Sequence, residues 1–234
     1  MGRRGMLGLL ASGTATLLSG CLKSRVSLRY RLTLEVRTPG GIKTGSSVLQ
    51  NTLSGQSIIP LPGDIGGSGF IGEAPTVDLG SGRFLFAVLA DPLWRRNVFE
   101  IVSKVLSYPE LKLVRPDEGT MDRMKKAAET KPSAILRREH YPMLVTFADV
   151  NDPSSVKEVS PDNLAASFGA GYALEKITFQ AVDEKTPLTT GFKERFPAIA
   201  NHRGAFGTKP PNALRTQNLD ADLQAFYFFS GALK

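Results

Sequence analysis

The sequence predicts an α+β protein, mainly of antiparallel β-strands with a few short helices, that follows a cleaved N-terminal signal. Long runs of the chain alternate apolar and polar residues, which is the period of a strand with one buried face. Glycine-rich turns separate neighbouring runs, as in antiparallel hairpins. At 234 residues, the chain is long enough to bury a proper hydrophobic core.

The N-terminal segment has the pattern of an export signal. Two arginines open it, and an apolar stretch over residues 6–18 follows. That stretch is shorter than the roughly 20 residues that a membrane-spanning helix needs. Cys21, the one cysteine of the chain, directly follows Leu18, Ser19 and Gly20. We therefore expect residues 1–20 to be removed and residues 21–234 to form the mature domain, with a possible subdivision near 107–140.

The sequence Leu18-Ser19-Gly20-Cys21 resembles the lipobox of bacterial lipoproteins. The resemblance implies that the Cys21 thiol is diacylated and becomes the first residue of the mature chain. A thiolate is a strong nucleophile, and two or three acyl chains anchor a protein firmly where one does not. The absence of Asp after Cys21 implies the outer membrane, facing the periplasm. The alternative is an ordinary signal peptide that is cut elsewhere.

The first strands are the clearest. Residues 26–37 alternate without a break, residues 39–41 (Pro-Gly-Gly) supply a turn, and residues 42–53 return as the second strand of a hairpin. Residues 54–72 are rich in Gly, Ser and Pro and predict a long loop. A second hairpin follows, with strands at 75–79 and 83–89 around a Gly-Ser-Gly turn.

The remaining elements are shorter. A helix is predicted from Asp91-Pro92, with Asp91 as its N-cap, up to Pro109. Its apolar face comprises Trp94, Val98, Ile101, Val102 and Val105. Further expected elements are a helix at 121–129, a strand at 143–147, a short helix from Ser160-Pro161 to Gly169, and a strand at 174–182. Residues 225–229 are mostly aromatic and predict either a buried terminal strand or a partner surface, with burial favoured.

The net charge of the chain excludes few classes of function and gives no indication of nucleic-acid binding. Removing residues 1–20 lowers the formal net charge from +7 to +5. This excess suits a protein beside anionic lipid, but no basic stripe interleaved with aromatic residues accompanies it. Lys125 and Lys126 are interpreted as a solvated helix face. With Cys21 acylated, no disulfide can form, so that packing alone must stabilise the chain.

One segment has a weak resemblance to a metal site. Asp149, Asn151 and Asp152 gather three oxygen-bearing side chains, as in the calcium-binding Asp-x-Asn-Asp of cadherin linkers. Calcium takes six to eight oxygen ligands, and an Asx turn into Pro153 explains the same residues without a metal. The Gly-rich stretch 67–72 matches a dinucleotide fingerprint as a string, but a strand pattern follows it instead of the required helix. No cofactor is expected.

No residue is assigned a catalytic role. His140 and His202 have no metal-binding spacing, and no nucleophile motif is present. A hydrolase site could still assemble from distant residues. That hypothesis predicts a pocket lined by Glu73, Asp78 or Asp149.

Several segments resemble a group of uncharacterised Gram-negative lipoproteins. These segments, which span most of 26–185, are Tyr30–Val36, Thr38-Pro39, Gly45–Val48, Gly72–Ala74, Val77–Gly80, Tyr141–Phe147 and Asn151–Pro153. The resemblance implies a lipid-anchored protein and no particular reaction. We therefore expect a non-catalytic binding or assembly module of the cell envelope, anchored through its lipid and with an envelope protein as a possible partner. A periplasmic hydrolase and a periplasmic inhibitor or immunity protein are the alternatives.

Overall fold

The computed structural model describes residues 25–55, 67–92, 97–106, 118–208 and 218–230. Within those residues the regular elements follow in chain order. They are β1 (Arg25–Thr38), β2 (Gly41–Ser54), β3 (Gly67–Glu73), β4 (Thr76–Gly80), β5 (Arg83–Ala87), α1 (Val98–Val105), α2 (Glu118–Thr130), β6 (Ser133–Ile135), β7 (Leu144–Phe147), β8 (Val156–Glu158), α3 (Ala165–Phe168), β9 (Ala173–Ala181), α4 (Phe192–Arg195), α5 (Pro197–Ala200), α6 (Leu219–Asp222) and β10 (Phe229–Ser230).

The strands form two sheets. The first has six strands in the order β10-β3-β2-β1-β9-β6, and the second has four in the order β4-β5-β7-β8. Every pairing in both sheets is antiparallel. The predicted α+β class, dominated by antiparallel strands, is confirmed.

The first predicted hairpin lies at the centre of the six-stranded sheet. Strand β1 pairs with β2 along its whole length, from Arg25 opposite Ser54 to Thr38 opposite Gly41. The even-numbered apolar residues of β1 between Leu28 and Val36 are fully buried, as the alternation predicts. On its other side β1 pairs with β9 from Tyr30 to Arg37, so β1 is an interior strand over those residues.

Helix α2 covers the buried face of β1. Met124 and Ala127 are three residues apart, which places them on one side of the helix, and both belong to the hydrophobic cluster around Leu28 and Phe179. Leu136, just after β6, joins the same cluster. The described residues between 107 and 140, where a subdivision was predicted, therefore pack onto the first sheet.

The two middle strands of the second sheet, β5 and β7, are buried on both faces. Leu85 and Ala87 of β5 pack into the cluster of the first sheet, whereas Phe86 and Val88 lie in a second cluster formed largely by the C-terminal third of the chain. Phe86 is at its centre, with five phenylalanine rings whose centroids lie 5.0 to 6.1 Å from its own. The continuous apolar run at 84–89 is typical of a strand covered on both sides.

The prediction of a loop over 54–72 was wrong at its end. Residues 67–73 form β3, which pairs with β2 from Gln50 opposite Ile71 to Ser54 opposite Gly67. Backbone pairing needs no apolar alternation, and a Gly-Ser sequence can supply it when a neighbouring strand has a free edge. The rest of the predicted loop, 56–66, lies outside the described residues.

The first helix begins later than predicted. It starts at Val98, and its N-cap is Asn97, whose Oδ1 atom accepts a hydrogen bond of 2.9 Å from the backbone N–H of Glu100. Asp91 is not its N-cap, because Asn97 already satisfies a free N–H group of the first turn. Val98, Ile101 and Val102 are buried as predicted, while Trp94 and Pro109 lie outside the described residues.

Smaller differences concern short elements. Helix α3 begins at Ala165 and not at Ser160, although it ends at Gly169 as predicted, with φ of 101°. The sequence did not reveal β6 and β8, each of three residues, because so short a strand has no period to detect. The terminal strand predicted over 225–229 was wrong over most of its length, because residues 225–227 form a short 3-10 helix and only Phe229 lies in a strand, β10. Tyr227 and Phe228 are buried and Phe226 is 47% exposed, so the burial interpretation is confirmed for the first two.

Candidate functional site

A polar groove opens at the N-terminal end of β1. Its walls are the start of β1, one face of α2 and the turn after β9, and it encloses about 900 Å³, within the usual range of ligand sites. We call it the β1 groove. The charged residues that line it are Arg25 and Arg29 from β1, Lys125 and Glu129 from α2, and Asp183, Glu184 and Lys185 from the turn.

Arg29 holds two walls of the groove together. Its Nε atom donates to Oε1 of Gln50 at 2.8 Å, and a terminal guanidinium nitrogen donates to the carbonyl of Thr186 at 2.6 Å. The backbone N–H of Val182 donates to the Arg29 carbonyl at 2.9 Å. Since the guanidinium is a planar group with several donors, these bonds fix the turn against the sheet and leave Arg29 structurally engaged.

An ion pair ties α2 to the same turn. Lys131, just after the helix, lies 3.0 Å from Oδ2 of Asp183, and Oδ1 of Asp183 accepts the backbone N–H of Lys185 at 2.9 Å. The N–H of Lys185, helped by the Lys131 ammonium, lowers the pKa of Asp183. Both side chains are about half exposed, so the pair contributes little to stability; its effect is to position the turn.

Five charged side chains face the groove without such engagement. Arg25, Lys125, Lys185, Glu129 and Glu184 are all exposed, and their side chains make no hydrogen bond or ion pair to the part of the chain that the structure describes. Three of them are cationic and two are anionic. This arrangement can bind a polar group that carries both signs of charge, with the cations on an acidic oxygen and the carboxylates on an ammonium.

The residues of the weak calcium prediction form a capped turn. Oδ1 of Asp149 accepts from the backbone N–H of Asn151 at 2.8 Å, and Oδ1 of Asp152 accepts from the backbone N–H of Ser154 at 3.0 Å. These bonds form the Asx turn that the sequence allowed as the alternative. Among the described residues no group of three or more His, Cys, Asp or Glu side chains is placed to hold a metal ion.

The carboxylates of the hydrolase hypothesis do not meet. Asp78 pairs with Arg195 on the surface, Asp149 lies in the exposed turn just described, and Glu73 is bound to the backbone of α4. None of the three lines the β1 groove. The pocket that the hydrolase hypothesis requires is therefore not formed there by these residues.

Glu73 has an unusual environment for a carboxylate. Its Oε2 atom accepts the backbone N–H of Phe192 at 2.9 Å. Burial raises the pKa of Glu73, and the N–H groups of Phe192 and Gly191 oppose that rise only in part. Glu73 thus joins the end of β3 to the start of α4.

Because the pKa of Glu73 is raised in the folded state, we expect the stability of the protein to depend on pH. The protonated form of Glu73 favours folding, so its contribution is fully present below the unfolded pKa of about 4.3 and is lost as the pH rises through the higher folded value. We expect the melting temperature of the wild type, relative to Glu73→Gln, to fall between pH 4 and pH 7. Thermal unfolding across this range measures it. A difference that rises with pH, or one that Glu175→Gln on the exposed side of β9 reproduces, contradicts the prediction.

Sequence reasoning missed the groove because its charges are far apart in the chain. Lys125 was interpreted as part of a solvated helix face, and Arg25, Glu129, Glu184 and Lys185 were not singled out. The only local signal is the i, i+4 spacing of Lys125 and Glu129, which places both on one side of α2. Cys21, Leu18, Ser19 and Gly20 lie outside the described residues.

Fold and site together define an antiparallel α+β protein of two sheets with a polar groove of mixed charge. The chain matches no protein-family model, no curated protein and no solved structure. None of the helices in the described ranges is long and apolar enough to cross a membrane.

Proposed function

We propose that this chain is a lipid-anchored protein of the cell envelope, held at the outer membrane on its periplasmic side, where it acts as a non-catalytic binding or assembly module. The observation that carries the proposal is the lipobox-like sequence Leu18-Ser19-Gly20-Cys21, which ends a short apolar stretch at the one cysteine of the chain. Cys21 is followed by three residues, and β1 begins at Arg25.

A short tether restricts where the folded domain can lie. Four residues span at most about 14 Å when fully extended, so acyl chains on Cys21 would keep the N-terminal end of β1 close to the lipid surface. Because that end of β1 pairs with β2 from Arg25 opposite Ser54, it cannot detach without breaking this pairing. The domain would therefore be oriented by its anchor, with the β1 groove at the membrane side.

The charges near the anchor support the same placement. Arg25, Lys125 and Lys185 are exposed at this end of the sheet together with Glu129 and Glu184, an excess of one positive charge, and a basic residue near an anionic lipid surface contributes about 1 kcal/mol. The resemblance to Gram-negative lipoproteins implies the same lipid anchor. The hydrolase alternative has less support, since its carboxylates are engaged separately.

The anchor is tested by the intact mass of the membrane-extracted protein. We expect the wild type to begin at Cys21 and to carry acyl chains, whereas Cys21→Ala should keep residues 1–20, carry no acyl chain and be lost from the outer-membrane fraction. Ser24→Ala, in the same tether, should behave as the wild type. An unmodified mature N-terminus in the soluble periplasm would overturn the proposal.

The binding role needs a second measurement. A photo-crosslinking residue at Glu129, in the β1 groove, is expected to capture a reproducible envelope component in cells. The same residue at Lys157, exposed on β8 in the second sheet, serves as the control. Identical products at both positions, or none at either, would contradict a binding module that works through the groove.

A further inference from the structure

Five charged side chains of the β1 groove have no ion-pair or hydrogen-bond partner among the described residues. Asp183 in the same turn, by contrast, is paired with Lys131. Arg25, Lys125 and Lys185 instead project into the same groove as Glu129 and Glu184. Opposite charges that line one groove can both be satisfied by a ligand that carries the complementary pair.

The walls that carry these charges are held in place before any ligand binds. Arg29 joins β1 to the backbone at Thr186, and Lys131 joins the end of α2 to Asp183. Lys125 and Glu129 are on a regular helix, and Arg25 is in a strand that is paired with β2. A site whose walls are already fixed loses less conformational freedom on binding than a flexible one.

The groove lies close in sequence to the proposed lipid anchor, and this position indicates the membrane as the source of its ligand. Arg25 lines it and is four residues from Cys21, so the groove would lie within about 14 Å of the acylated residue. The headgroup layer of a bilayer is roughly 5–8 Å thick on each side, because the hydrocarbon core occupies about 30 of its 40–45 Å. Phospholipid headgroups are therefore within reach of the groove.

The mixture of charges selects among headgroups. A purely anionic headgroup would meet Glu129 and Glu184 as well as the three cations, and these carboxylates would repel it. A headgroup with a phosphate followed by a primary ammonium can place each charge against its opposite. Resting on the proposed lipid anchor, we propose that the β1 groove binds the phosphoethanolamine headgroup of a phospholipid in the membrane that carries the protein.

The ligand chemistry can be measured with short-chain lipids. The full chain, extracted in detergent, is titrated in native mass spectrometry with dihexanoylphosphatidylethanolamine, dihexanoylphosphatidylglycerol and inorganic phosphate. We expect the ethanolamine lipid to bind about tenfold more tightly than the glycerol lipid. Equal binding of the two lipids, or binding of inorganic phosphate as tight as that of the ethanolamine lipid, would overturn the proposal.

Charge variants assign the binding to the groove. The double variant Lys125→Glu/Lys185→Glu is expected to weaken binding of the ethanolamine lipid by about tenfold or more, and Glu129→Gln/Glu184→Gln should remove the preference over the glycerol lipid. Lys43→Glu/Lys157→Glu makes the same change of net charge at exposed positions outside the groove and should leave binding unchanged. All substitutions are on exposed side chains, and unchanged melting temperatures would show that the fold is retained. If Lys43→Glu/Lys157→Glu weakened lipid binding as much as Lys125→Glu/Lys185→Glu does, the assignment of binding to the groove would be overturned.

The same spectra separate this proposal from the proposed anchor. Protein that carries acyl chains on Cys21 but shows no headgroup preference refutes the groove site and leaves the anchor intact. Protein that lacks acyl chains refutes the anchor whatever the lipids do. Headgroup binding by such protein would still support the ligand chemistry of the groove while overturning its placement at the membrane.

Discussion

Gly45→Ala is expected to lower the free energy of unfolding by about 3 kcal/mol. Gly45 is in β2 where that strand crosses β4, and a Cβ atom there would overlap the carbonyl oxygen of Thr76 and lie 2.8 Å from the amide nitrogen of Val77. Backbone atoms cannot rotate away as a side chain can. One of the two strands must therefore shift, which disturbs packing between the sheets.

Chemical denaturation measures this effect, and the chain offers a matched control. Gly69 is also a strand glycine, in β3, but a Cβ there would only reach the Thr52 side chain at 4.0 Å. We expect Gly69→Ala to change stability by less than about 0.5 kcal/mol. A midpoint for Gly45→Ala equal to that of Gly69→Ala would show that β2 and β4 do not approach each other so closely.

Phe86→Ala is expected to cost about 4 kcal/mol, which is typical of truncating a buried aromatic residue. Its ring is fully buried and makes edge contacts with Phe147, Phe192, Phe196 and Phe228. Such contacts add about 0.5–1.5 kcal/mol each beyond simple burial. Since a domain is stabilised by only about 5–15 kcal/mol in total, this variant would lose a large share of its stability.

The stability lost in Phe86→Ala should be distributed unevenly along the chain. Three of the four partner rings belong to the C-terminal segment, so native-state hydrogen exchange is expected to lose protection there first and to retain it in the hairpin of β1 and β2. Phe226→Ala, at a ring that is 47% exposed, is the control and should cost about 1 kcal/mol or less. Equal destabilisation by the two variants would contradict the central position of Phe86.

The hairpins β1–β2 and β4–β5 could be predicted because their signals are local. The alternation at 26–37 specifies which side chains of the first strand face inward, and Pro39-Gly40-Gly41 specifies where the chain turns back into 42–53. The structure pairs these two strands from Arg25 opposite Ser54 to Thr38 opposite Gly41. The start of α1 could not be predicted as well, since Asp91 and Asn97 are both good N-caps and the choice between them depends on the packing around each.

Strand β3 shows why other parts of the fold were missed. Its Gly-Ser sequence has no strand period, and it forms because β2 offers a free edge to residues 67–71. The placement of β9 beside β1 likewise joins segments about 140 residues apart. The sequence of β1 alone, or of β9 alone, does not indicate that the two strands pair.

The sequence by itself determined the α+β class, the two hairpins, the buried positions of β1 and the lipobox-like signal around Cys21. Each of these depends on residues within a few positions of one another. Only the tertiary structure decided that the middle strands of the second sheet are buried on both faces and that Arg25, Lys125 and Lys185 line one groove. Those outcomes depend on which strands pair and which surfaces pack, and these are set by the free energy of the whole chain and not by any local period.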